Sequence, residues 1–139
     1  MQILPRALVG LSAGIIFVLG TVHLLYTFRG RKLLPRDAEL QSSMASIAPL
    51  ISDQTTMWKA WLGFNASHSM GAMLFGLIYG YLAAFEAVLL FGSAYLTLVG
   101  LAMLGGLFLL GRRYWFSIPN IGISISLACF VTGVVSWRF

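Results

Sequence analysis

The sequence predicts an all-α integral membrane protein, a bundle of four transmembrane helices with an amphipathic surface helix in the first loop. Three observations predict it. Of 139 residues, 59% are hydrophobic and 9% charged, whereas an ordinary soluble domain is about 25% charged, so a water-facing globule would lack polar cover. Four charge-free apolar stretches are each long enough to cross a hydrocarbon core of ~30 Å at ~1.5 Å per helical residue. The basic residues fall in short runs between those stretches, the footprint of loops beside a bilayer. A formal charge of +5 distributed in this way is not a nucleic-acid patch, and no nucleic-acid partner is expected. The apolar excess, with a mean hydropathy of +0.89, excludes disorder. A single cysteine, Cys129, excludes an internal disulfide framework.

The spans follow in order within a single membrane domain, residues 1–139. The first covers about 7–28, preceded by Pro5 and Arg6 and closed by Arg29, Arg31 and Lys32. It is longer than a signal-peptide apolar region and no small-x-small cleavage pattern follows it, so it reads as a retained span. The second covers about 61–85 and stops at Glu86. The third covers about 87–110, so Phe85-Glu86-Ala87 should make a tight antiparallel hairpin. A short linker, 111–117, leads to the fourth span at about 118–137, where Pro119 suits a first helical turn. Membrane strands are disfavoured because the stretches are continuously apolar instead of alternating.

The long loop 29–60 is the most polar part of the chain. Pro35-Arg36-Asp37 offers a turn and a helix start, after which Leu40, Met44, Ile47 and Ile51 recur at helical spacing, with Pro49 interrupting late. This pattern predicts a short amphipathic helix at the membrane surface. Asp53 or Thr55 is placed to cap the second span. Trp58, Lys59 and Trp61, and likewise Tyr114-Trp115, have the composition of interfacial anchors. Seven of the nine basic residues lie in the loops 29–60 and 111–117, which predicts that both loops are cytoplasmic and both termini outside.

Small residues recur at i+4 on the second span (Ala72, Gly76, Gly80, Ala84) and on the first (Gly10, Gly14). Such stripes let helix backbones approach closely, and helix packing is their expected role.

Polar side chains inside a bilayer are costly and need a reason. His23 lies ~7.5 Å from the end of the first span and His68 ~10 Å into the second, measured from the same face. The two imidazoles therefore share a level although they are 45 positions apart. By helical periodicity Trp61, Asn65 and His68 share a face with Ala72 and Phe75. On the first span His23 shares one with Gly20 and with Tyr26 or Thr27. On the fourth, Ser117, Asn120 and Ser124 form a polar stripe at that level. Two readings stand side by side. One is a cytoplasm-facing pocket lined by His23, Tyr26, Trp61, Asn65, His68, Asn120 and Ser124. The other is a set of neutral polar groups that satisfy one another and brace the helices.

No particular cofactor is indicated. A bis-histidine haem needs more space than directly packed helices leave. A structural zinc needs four ligands, and two histidines with a deeper Cys129 do not supply them, so no metal site is expected. Met70 and Met73 are more simply packing residues than copper ligands. Ser67 and Ser69 flank His68 but project in other directions, without an acid nearby. The sequon Asn65-Ala66-Ser67 lies within a span, out of reach of glycosylation. No phosphate-binding loop, dinucleotide fingerprint or broken-helix pair of a secondary transporter is present.

The segment from Trp58-Lys59-Ala60-Trp61 through Gly63-Phe64-Asn65-Ala66-Ser67-His68-Ser69 resembles a family of small bacterial four-span membrane proteins to which no activity is attached. The likeness extends from Pro35-Arg36-Asp37 to Gly76, with a histidine near the end of the first span. The resemblance implies a four-helix fold, a bacterial inner membrane and emphasis on Trp61, Asn65 and His68. It implies no reaction.

Three functions are consistent with these features. The first is a non-catalytic accessory or assembly subunit of a larger membrane complex, partnered by lipid and by other subunits. The second is a cofactor-, lipid- or quinone-binding protein or enzyme using the pocket around His23 and His68. The third is a self-assembling structural protein. Small size, small-residue stripes and an incomplete catalytic set rank the first ahead.

Overall fold

The computed structural model describes residues 2–138. Among them the only regular structure is helical, in six segments: α1 (Ile3–Phe28), α2 (Ala38–Ser46), α3 (Met57–Phe85), α4 (Ala87–Gly92), α5 (Ala94–Tyr114) and α6 (Ser117–Ser136). Four of these, α1, α3, α5 and α6, are long and apolar enough to cross a membrane. The all-α, four-span reading of the sequence is therefore correct, and the helix limits are where it needs revision.

The third span begins at Ala94, not Ala87. Residues 87–92 form the separate short helix α4, so the expected tight hairpin at Glu86 is a longer turn. The break is made by Ser93, whose backbone is extended and whose Oγ accepts from the amide of Leu96 at 3.3 Å. A serine cap satisfies an amide that would otherwise be orphaned at the helix start. At its other end α5 runs on through Arg112 and Arg113 to Tyr114, leaving Trp115 and Phe116 as an extended two-residue connection to α6.

The second span starts one turn earlier than expected, at Met57. Its cap is Thr56, whose Oγ1 accepts from the Lys59 amide at 3.3 Å, and not Asp53 or Thr55. The first span also starts earlier, at Ile3, with Pro5 tolerated in the first turns, where no intrahelical amide bond is lost.

The chain forms two compact units. The larger comprises residues 1–19 and 72–139. Its core is built where α1, α3, α4, α5 and α6 supply Val9, Ile16, Phe75, Tyr79, Leu90, Leu104, Leu107, Ile123 and Phe130. Phe75 and Tyr79 stack at 4.5 Å, and Phe130 meets Tyr79 edge to face at 5.6 Å. Tyr79 donates its hydroxyl hydrogen to the Leu96 carbonyl at 2.7 Å, so its polar end is satisfied while the ring stays buried. Lipid is as apolar as leucine, so contact here is stabilised by close packing more than by escape from water. Gly76 shows this: a Cβ built on it would lie 2.6 Å from Phe17 Cβ and 2.8 Å from the Ala13 carbonyl oxygen. Gly100 is equally confined, beneath Phe130 and Tyr79.

The smaller unit comprises residues 20–71. The end of α1 is closed by Gly30, at φ +92°, the left-handed position that favours glycine after a helix. In α2, Asp37 Oδ1 accepts from the Glu39 amide at 2.9 Å, as Pro35-Arg36-Asp37 suggested. The expected apolar stripe is shorter than the sequence spacing implies. The helix stops at Ser46, so Leu40 and Met44 lie on it, while Ile47 is its C-cap and Ile51 belongs to the following turn. A bond from the Met57 amide to the Ile47 carbonyl, 2.8 Å, ties the start of α3 to the end of α2.

Candidate functional site

The smaller unit brings His23 and His68, which the sequence placed at one level, into contact. Their ring centroids lie 5.7 Å apart and the planes stand at 83°, edge to face. His68 also lies parallel to Phe64, 6.4 Å away. Asn65 organises this junction from a position only 7% exposed. Its amide nitrogen donates to the Trp61 carbonyl one turn back at 2.8 Å. A carbonyl only accepts, so the NH2 must face Trp61 and Oδ1 must face His23. His23 Nε2 lies 2.9 Å from that oxygen and donates to it. A neutral His23 is therefore the Nε2–H tautomer, with its lone pair on Nδ1.

Two hydroxyls support the backbone of this pair. Thr27 Oγ1 donates to the His23 carbonyl at 2.9 Å, and Ser69 Oγ donates to the Asn65 carbonyl at 2.8 Å. Both side chains are buried. Thr27, not Tyr26, is thus the residue that faces inward beside His23. Tyr26 is half exposed, and its hydroxyl accepts from Lys32 Nζ at 2.8 Å. Ser69 is thus more than a neighbour of His68 in sequence. Its signal in the sequence is its place four residues after Asn65.

Tyr26 and Trp61 belong instead to an adjoining cleft, shared with Thr27, Gly30, Leu33, Leu34, Trp58 and Leu62. It has about 10 Å³ of space, roughly that of a single water. Trp58, Trp61 and Lys32 at this edge fit the aromatic and basic belt of a membrane interface.

Asn120 and Ser124 belong to the larger unit. Ser124 Oγ donates to the Asn120 carbonyl on its own helix at 2.7 Å. Asn120 Oδ1 is buried without a hydrogen-bond partner among the described residues and crowds Gly111, where a Cβ would come within 2.9 Å of it. Of the Ser117–Asn120–Ser124 stripe, Asn120 is accordingly part of the α5–α6 contact, and Gly111 is what permits its approach.

A second polar contact in the larger unit has no counterpart in the sequence pattern. Ser12 and Ser126, both fully buried, join α1 to α6 with their hydroxyl oxygens 2.8 Å apart, and Ser126 Oγ also reaches the Ser12 carbonyl at 3.0 Å. At one end of the same unit Arg6 Nε donates to the Ala83 carbonyl at 3.0 Å and its Nη2 to that of Ala84, closing the C-terminus of α3. A cation there satisfies orphan carbonyls and complements the helix dipole.

Chemically, the histidine junction holds hydrogen-bonding imidazoles in fixed orientation. Among the described residues no group of three or more His, Cys, Asp or Glu side chains is arranged to hold a metal ion. The class that these features define is a small polytopic helical membrane protein with a polar junction between its first two spans. No family model, curated protein or solved structure matches the chain.

Proposed function

We propose that this chain is a non-catalytic accessory or assembly subunit of a larger membrane complex. The observation that supports the reading best is the small-residue face of α1. A Cβ built on Gly10 or Gly14 meets no atom within 4 Å among the described residues, whereas Gly76 is packed tightly. In lipid, a glycine pair at i+4 brings no packing advantage unless another helix covers it. The polar junction adds support, because Asn65 has its amide and carbonyl groups occupied within the protein, and structural bracing is sufficient reason for it. The orientation that accompanies this reading, taken from the seven basic residues in the loops 29–60 and 111–117, places those loops in the cytoplasm of a bacterial inner membrane and both termini outside.

Extraction in mild detergent tests it. The chain should co-purify with larger membrane partners at fixed stoichiometry, and Gly10→Leu with Gly14→Leu should release it without lowering its own melting temperature. Isolation of the wild-type chain as a lone unit with full biological activity contradicts the proposal. Recovery as an oligomer of itself favours a structural protein whose second copy covers the same face.

A cofactor-, lipid- or quinone-binding role is the second reading, favoured by the 5.7 Å approach of His23 and His68. Its signature is a visible absorption band or stoichiometric metal in the purified protein that disappears with His68→Ala. Colourless, metal-free protein whose His68→Ala variant stays fully functional excludes it.

A further inference from the structure

We propose that the cleft at the Arg6–Glu86 end of the larger unit binds the zwitterionic headgroup of an aminophospholipid, a phosphodiester carrying a primary ammonium. The cleft is lined by Gln2, Arg6, Phe85, Glu86, Ala87, Val88 and Trp137 and has a volume of about 180 Å³. These residues lie at the start of α1, the end of α3, the start of α4 and just past α6. That is the level where the apolar spans stop and lipid headgroups begin. The volume is below the roughly 300 Å³ of a small-molecule pocket and suits a compact headgroup.

The charges select the ligand. The cleft contains one cation and one anion, and among the described residues they form no ion pair with each other. Arg6 is held in place by the carbonyls of Ala83 and Ala84, which take donors from Nε and Nη2. A guanidinium has five N–H donors, so the remaining ones are available to a phosphate in an orientation already fixed. Guanidinium matches phosphate geometry. Among the described residues Glu86 contributes only backbone bonds to the fold, leaving its carboxylate to accept from a primary ammonium. Trp137 is positioned by stacking on Phe91 at 4.3 Å, and the exposed Phe85 and Val88 offer an apolar rim to the glycerol and first acyl carbons. A phosphatidylglycerol headgroup would meet Arg6 favourably and Glu86 unfavourably. A phosphatidylcholine headgroup has no N–H for Glu86.

Native mass spectrometry of the full chain, released from nanodiscs of phosphatidylethanolamine, phosphatidylcholine and phosphatidylglycerol in equal parts, tests the assignment. One charge-assisted hydrogen bond corresponds to about tenfold in affinity, so phosphatidylethanolamine should be retained about tenfold over phosphatidylcholine. Glu86→Gln should abolish that preference with an unchanged melting temperature, and Glu86→Lys should turn it toward phosphatidylglycerol. Equal retention of the three lipids by the wild type, or an undiminished preference in Glu86→Gln, overturns the proposal. Equal protection by water-soluble glycerophosphoethanolamine overturns it too, because the ligand would then not be a bilayer lipid.

Discussion

His23 on α1 donates its Nε2 hydrogen to Asn65 Oδ1 on α3 at 2.9 Å, and this bond fixes the ring that meets His68 edge to face. Asn65 cannot turn its amide around without opposing its own oxygen to the Trp61 carbonyl. The orientation of one imidazole is thus set by a backbone carbonyl four residues before its partner. The junction behaves as a linked set, and its perturbation should be read through pairs of variants.

Removing Asn65 leaves the His23 N–H without its acceptor. A double-mutant cycle of His23→Ala and Asn65→Ala should give a coupling of about 0.6–1.7 kcal/mol, the range for side-chain bonds between membrane helices. Thermal or denaturant unfolding in detergent measures it. Strict additivity would mean that the bond contributes nothing to the fold.

Close packing in the larger unit predicts a contrast between glycines. Gly76→Ala would push a methyl against the Ala13 carbonyl and Phe17 Cβ, and should cost about 1–3 kcal/mol, as overpacking does. Gly105→Ala meets no atom within 4 Å among the described residues and should change stability by no more than about 0.5 kcal/mol. Melting temperatures of the two variants, measured side by side, decide the point. Equal tolerance would contradict the α1–α3 contact.

The Ser12–Ser126 contact predicts another asymmetry. Ser126→Leu places a large side chain at a fully buried position and should destabilise by about 1–3 kcal/mol. The double change Ser12→Ala with Ser126→Ala removes both polar partners together and should be nearly neutral, since no buried group is left unsatisfied. If the double alanine variant unfolds as readily as Ser126→Leu, the hydroxyl pair has a role beyond mutual satisfaction.

Charge-free length was enough to find the four spans, because a bilayer admits little else. The α4–α5 break was hidden, since Gly92 and Ser93 stand inside an apolar run and only the serine's capping bond shows that the helix restarts. The extension of α5 through Arg112 and Arg113 was hidden for a related reason: long basic side chains reach toward water from a helix that is still continuing. Counting from the basic face put the two histidines at one level, but which helices are neighbours, and so the junction itself, could not be read from the sequence. What could not be counted was the direction of each hydroxyl. Thr27, Ser69 and Ser124 bond back to their own helices, while Ser12 and Ser126 bond across to each other. Serine and threonine in a helix have both options, and packing decides between them.

Four crossings of the bilayer are the premise of every contact described above. Single cysteines in a Cys129→Ala background, labelled in intact cells with a membrane-impermeant maleimide, test it directly. Glu86→Cys and Arg138→Cys should label from outside, Arg36→Cys and Arg112→Cys only after the membrane is opened, and Leu104→Cys at neither stage. Labelling of Glu86→Cys and Arg112→Cys from the same side would contradict the four-span fold.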